Sequence, residues 1–127
     1  MRWSRIVILC VGMGLLGACG NSGGTTAGGG DGDEHGLPGD PVAGAAVYAR
    51  ICIACHDARG TGNGGVTGAN FVADRTRLAK TNTELLTSIR DGKTTGSMVM
   101  PAQRGALSEQ EMKDALSYIR KTFGGTH

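Results

Sequence analysis

The chain is short of the side chains that usually build a small core. Its 127 residues include one Trp, two Tyr and two Phe. Trp3 lies near the N-terminus, so the stretch beyond residue 40 has only Tyr48, Phe71, Tyr118 and Phe123 as aromatics. A domain of that size with so few large apolar groups needs a disulfide, a metal, a cofactor or a partner to complete its core. Charge of one sign is also lacking. The formal net charge is +2, and the basic residues are scattered without interleaved aromatics, which excludes a nucleic-acid groove. The apolar run from Ile6 to Leu16 is too short for an ordinary membrane span.

That run has another meaning. Arg2 and Arg5 precede it and the small residues Gly17 and Ala18 follow it, the layout of an export signal over residues 1–18. Leu16-Gly17-Ala18-Cys19 resembles the lipobox of bacterial lipoproteins, which predicts lipidation of Cys19 and a membrane anchor. Residues 19–39 then read as a tether. Gly20 to Gly30 has almost nothing to bury, and Asp31, Asp33 and Glu34 make its end acidic, so it stays flexible. The expected folded domain is 40–125. The expected location is the periplasm or the outer face, on a membrane.

Four Cys occur in all. Cys10 lies in the export signal and Cys19 at its cleavage point, leaving Cys52 and Cys55 for the domain. Two thiols cannot make a four-thiolate zinc or iron–sulfur site. His35 and His127, the only other His besides His56, sit in the tether and at the terminus, poor places for a zinc ligand. Alternating strand patterns are scarce, so the βαβ setting of a thioredoxin-like redox pair is missing. What remains is Cys52-Ile53-Ala54-Cys55-His56 read as C-x-x-C-H, the motif of covalent haem attachment. Two thiols at that spacing reach two neighbouring vinyl groups, and the following His lies beneath the iron.

Three helices are predicted. The first covers about 41–51, capped by Asp40 with Pro41 in its first turn. Val42, Ala45, Ala46 and Ala49 form its apolar stripe by spacing. The second covers about 82–91, with Thr81 and Glu84 spaced as a capping box and Gly92 just past its end. The third has a capping box at Ser108 and Glu111, a Leu107–Met112 staple, and a stripe of Met112, Ala115, Leu116, Ile119 and Phe123 that Gly124-Gly125 ends. The loop Gly60 to Gly68 is glycine-rich but lacks the G-K-[ST] ending of a phosphate loop.

A six-coordinate haem needs a second axial ligand, and Met thioether is a common one. Met112 belongs to the third helix's core stripe. Met98 and Met100 lie on the loop Gly92 to Gly105, and Met100 is followed by Pro101, which stiffens the chain. Met100 is preferred, with Met98 the alternative.

The order of these features is similar to that of the small bacterial class I cytochromes c, over about residues 41–124. Gly44 and Tyr48 precede the haem motif, a glycine-rich loop and a middle helix follow, and Met100-Pro101 and a last helix with Tyr118 complete the series. The resemblance implies an all-α fold in which three main helices and loops wrap one covalent haem c. It implies that the terminal helices cross at Gly44, Tyr48 and Tyr118. It also implies Cys52 and Cys55 as thioethers, His56 and Met100 as iron ligands, and a single-electron carrier between redox partner proteins rather than an enzyme. The alternatives are the haem domain of an oxidoreductase or peroxidase, or a haem-based sensor. Where the family often has Gly-Pro-x-Leu, this chain has Gly68-Ala69-Asn70-Phe71, so the carbonyl of Ala69 would accept from the His56 ring. A Trp near the haem propionates is absent, which leaves Arg75, Arg77 or Arg104 for that place.

Overall fold

The computed structural model describes residues 36–124. The export signal 1–18, Cys19, and the tether as far as His35 lie outside the described residues, as do 125–127. Among the described residues five α-helical elements and one β-ribbon follow in order: α1 (Pro41–Val47), α2 (Ile53–His56), α3 (Gly62–Gly65), α4 (Asn82–Asp91), β1 (Lys93–Thr95), β2 (Met98–Met100) and α5 (Glu109–Phe123), with a π turn at Tyr48–Cys52 and a 3-10 turn at Arg75–Arg77. The domain is mostly helical, but not all-α as expected. β1 and β2 pair antiparallel, Lys93 with Met100 and Thr95 with Met98. The two-residue connection Gly96-Ser97 has Gly96 at φ 60, the positive φ that such tight hairpins require.

The chain enters over α5. Gly39 N donates to Ser117 Oγ at 2.7 Å and Asp40 N to Asp114 Oδ1 at 2.8 Å. Asp40 then caps α1 by accepting from Val42 N at 2.8 Å, satisfying one of the orphan donors at the helix start. The face of α1 that packs is not the predicted alanine stripe. Val42 is 76% exposed, and Ala46 and Ala49 also face solvent. Gly44, Val47 and Tyr48 are buried instead, with Ile51 partly so. The physical reason is twofold. Val47 and Tyr48 bring more apolar area than alanines do, and Gly44 lets two backbones touch. A Cβ on Gly44 would overlap the carbonyl oxygen of Asp114 and sit 3.0 Å from Ala115 N.

After α1 the helix widens to a π turn over Tyr48–Cys52, where Ile53 N–H bonds the carbonyl of Tyr48. It tightens again as α2 and stops at Asp57, whose φ is 54. The first helix thus runs on through His56, beyond the predicted end.

The other two helices are as the sequence predicts. Both capping boxes form: Thr81 with Glu84 on α4, and Ser108 with Glu111 on α5. Met112, Ala115, Leu116, Ile119 and Phe123 are all buried, and Leu107 packs with Met112 in one apolar cluster with Val47 and Ala115. A second cluster gathers Tyr48, Phe71, Leu78, Ile119 and Phe123. Tyr48 and Tyr118 meet at 5.1 Å between ring centres. Arg120, buried on α5, donates to Asn82 Oδ1 at 2.9 Å, Leu78 O at 2.7 Å and Lys80 O at 2.6 Å. It ties the strand-free segment before α4 to the last helix.

Candidate functional site

The site begins with the π turn. One extra residue per turn, just ahead of Cys52, sets where the next turn points its side chains, and such bulges often mark functional positions. Cys52 is half-buried, Cys55 exposed, and His56 8% exposed. All three border one cavity that opens to solvent. Its apolar wall includes Ile51, Leu78, Leu85 and Ile89, and Met100 and Pro101 border it from the ribbon.

His56 is held from behind. Its Nδ1 lies 3.3 Å from the carbonyl oxygen of Ala69, so that nitrogen carries the proton and donates. Nε2 is left for ligation. Phe71 stacks on the ring at 4.6 Å between centres. Burial lowers the imidazole pKa, opposed by the Ala69 hydrogen bond and by Asp57. Burial therefore favours the neutral ring, the form that binds metal.

The loop behind His56 is built by Asp57. Its carboxylate accepts from the Thr61 hydroxyl, from Asn63 N at 2.9 Å, from Arg59 N at 2.6 Å and from Thr61 N at 3.3 Å. The Thr61 hydroxyl and then the Asn63 amide hold this carboxyl well below the usual carboxylate range. Further on, Thr67 Oγ1 donates to the Cys55 carbonyl at 2.7 Å and Phe71 N to Gly60 O at 2.8 Å. Gly68 makes the return possible, since a Cβ there would sit 2.7 Å from Cys55 O and 3.1 Å from His56 Nδ1.

The ribbon supplies the thioether sulfurs. Successive residues of a strand face opposite sides, so Met98 and Met100 share one face, and Val99, 67% exposed, takes the other. Met100 borders the main cavity. Met98 borders an adjoining hollow with Cys55, His56, Gly68 and Ala69. Met112 borders neither and is packed in the core.

Of the three arginines considered for the propionates, Arg77 alone lines the cavity. Arg104 is turned away to Asp91 at 2.7 Å. The sequence reading missed Lys80 and Lys93, which also line the cavity. It missed the ribbon too, although Thr94-Thr95, Gly96-Ser97 and Met98-Val99-Met100 carry a recognisable hairpin pattern.

The residues present suit a covalent haem. Two thiols three apart offer thioether bonds, one imidazole nitrogen is oriented and the other free, and a Met sulfur borders the same apolar cavity. Burial, and then Cys55, push the Cys52 thiol up to about 11, the reverse of the depressed thiolate used in disulfide exchange. Among the described residues no three His, Cys, Asp or Glu side chains converge as a metal cluster. Motif, cavity and helical frame together define a c-type cytochrome domain.

The chain belongs to the family described as cytochrome c oxidase, cbb3-type, subunit III, which matches residues 39–119. Haem-based electron transfer with redox partners is what this family implies, and its cytochrome domains are generally exported. No curated protein and no solved structure shows significant similarity. Among the described residues no helix is long and apolar enough to cross a membrane.

Proposed function

We propose that this protein is a single-electron carrier of the class I cytochrome c type, with one haem c bound through Cys52 and Cys55. In this reading His56 and Met100 are the axial ligands, and a lipid on Cys19 tethers the domain at the outer face of a membrane. The observation that carries the reading is the shared cavity of Cys52, Cys55, His56 and Met100, with His56 Nδ1 engaged by Ala69 O. The bound haem supplies the Fe(II)/Fe(III) couple. The chain's part is to hold two ligands still, keep water from the iron and leave one edge near exposed Cys55 for brief contact with partners. A carbonyl behind a ligating His fixes the ring and raises its basicity. A Met sulfur on the other side raises the potential.

The test is expression of the exported domain with a haem-maturation system, followed by oxidised and reduced spectra. The expected result is haem retained through denaturation, a low-spin reduced spectrum, and a weak Met-to-iron charge-transfer band. That band should vanish in Met100→Ala and persist in Met98→Ala. Protein without covalent haem would overturn the proposal, and a high-spin spectrum that takes up carbon monoxide at once would point to an enzyme or sensor. For the anchor, labelled fatty acid should enter the wild-type chain and not Cys19→Ser. With Cys19 kept, removal of residues 20–35 should slow oxidation by membranes, since a tether too short to span the distance to a partner loses the gain in effective concentration, and unchanged turnover would refute that role.

A further inference from the structure

The cavity has one cationic sector. Arg77, Lys80 and Lys93 line it together with the apolar Leu78, Leu85 and Ile89. The three come from two segments. Arg77 and Lys80 precede α4, where Arg120 grips the Lys80 carbonyl. Lys93 opens β1 directly across from Met100, so it shares that residue's face of the ribbon. Lys80 and Lys93 lie close together: the neighbouring Lys80 ammonium is the first cause that lowers the Lys93 pKa, and Arg77 adds to it.

Nearby carboxylates are committed elsewhere. Arg77 Nε meets Asp74 Oδ2 at 3.0 Å. Glu84 Oε2 accepts from Thr81 N and Thr81 Oγ1, both at 3.0 Å, and its charge reaches Lys80 and Lys93 only at longer range, without an ion pair. Among the described residues neither lysine is in an ion pair. Two adjacent ammonium groups repel unless an anion lies between them. A cavity with apolar walls and one cationic sector fits an apolar body with an acidic edge.

We infer that Lys80 and Lys93, with Arg77 beside them, seat the carboxylate groups of the haem propionates. The inference rests on the proposed haem site. It places the propionates at the junction of the α4 entry and the ribbon, so the anions would also fasten the Met-bearing ribbon to the segment that Arg120 ties to α5.

The experiment uses the holoprotein. Limited acetylation with site-by-site mass spectrometry compares Lys80 and Lys93 with Lys113 and Lys121 on α5; all four are exposed on the chain itself, so slower reaction at the first two reports the bound group. Both cavity lysines are expected to react at least fivefold more slowly than the references. The Lys80→Gln/Lys93→Gln double variant is expected to shift the reduced-to-oxidised ratio about tenfold towards oxidised at a fixed ambient potential, about 59 mV for one electron. The sign follows because uncompensated propionate charge stabilises the ferric state. Arg77, Lys80 and Lys93 are exposed on the chain itself, so the shift should shrink as salt is raised but remain measurable. Lysines that react at the reference rate, or a ratio changed less than twofold, would overturn the inference. So would a variant whose only defect is salt-sensitive reaction with membranes, which would make these lysines a docking patch for an acidic partner. Wild-type protein without covalent haem defeats the haem reading itself; freely reactive lysines on a haem-loaded protein defeat only this assignment.

Discussion

Replacing Gly44 by Ala isolates the contact on which the frame depends. In an exposed helix this change is favourable by about 1 kcal/mol, because Ala loses less backbone entropy. At Gly44 the added Cβ would collide with the Asp114 carbonyl and crowd Ala115 N at 3.0 Å. These are backbone atoms inside α5, so no rotamer change relieves the overlap, and α1 and α5 must move apart. Overpacking of this kind costs about 1–3 kcal/mol, sometimes more. Parting the helices also loosens Val47 against Leu107 and Met112 and Tyr48 against Tyr118. The upper part of that range therefore applies, and after the propensity gain the net loss is about 2 kcal/mol. For a domain of this length that lowers the melting temperature by roughly 8–16 °C. Thermal and urea unfolding of the holoprotein, followed by circular dichroism, measure it. Ala43→Gly, one residue earlier on the exposed side, provides the opposite control and should lose about 1 kcal/mol. A Gly44→Ala protein as stable as the parent, or more so, would refute the argument, because helix propensity would then outweigh the crossing.

Met112→Ala should cost about 2–5 kcal/mol, as buried Met deletions do, yet leave the visible spectrum unchanged; a lost charge-transfer band would make Met112 the ligand. Gly68→Ala should displace the Ala69 carbonyl from His56 Nδ1 and raise the midpoint potential, since a less basic imidazole stabilises Fe(III) less; an unaltered potential with full haem loading would refute that coupling. The Ser108 amide first, then Arg50, lower the Glu111 carboxyl from 4.5 to about 2. A depressed carboxylate contributes stability above its unfolded pKa and loses it as pH falls through the folded one. Melting temperature should therefore drop between about pH 4.5 and 2, and less steeply in Glu111→Gln; parallel profiles would refute the assignment.

What the sequence disclosed is what local chemistry decides. The two capping boxes need only residues three apart, and both stand in the structure where Thr81 and Ser108 predict them. The C-x-x-C-H spacing is equally local. The face of α1 was misjudged because periodicity ranks positions by apolarity, and a backbone crossing selects the smallest residue instead. Gly44 scores nothing on a hydrophobic stripe yet fixes which side of α1 packs. The π turn over Tyr48–Cys52 had no sequence signal at all. The lysines were overlooked because they become neighbours only when β1 folds back beside the segment before α4.

The scarcity of aromatics acquires a structural meaning here. The few that exist are spent in one cluster, Tyr48, Phe71 and Phe123 with Leu78 and Ile119. The other cluster relies on Val47, Leu107, Met112 and Ala115. Residues of α5 serve both, but the cavity draws its walls from both sides, with Leu78 and Ile119 from one and Ala115 from the other. A large flat apolar group beside His56 would touch each of them and supply the area that the chain itself does not. In the proposed reading cofactor binding and folding are one event, and thioethers at Cys52 and Cys55 would make it irreversible where free haem would otherwise escape. A Cys52→Ala/Cys55→Ala variant should consequently fail as a folded domain, not merely as an electron carrier. Its far-ultraviolet circular dichroism should show the loss of α1 and α5 packing as reduced helix content and a broadened, non-cooperative melt. A variant that melts as sharply as the parent without any haem would show that the two clusters suffice by themselves.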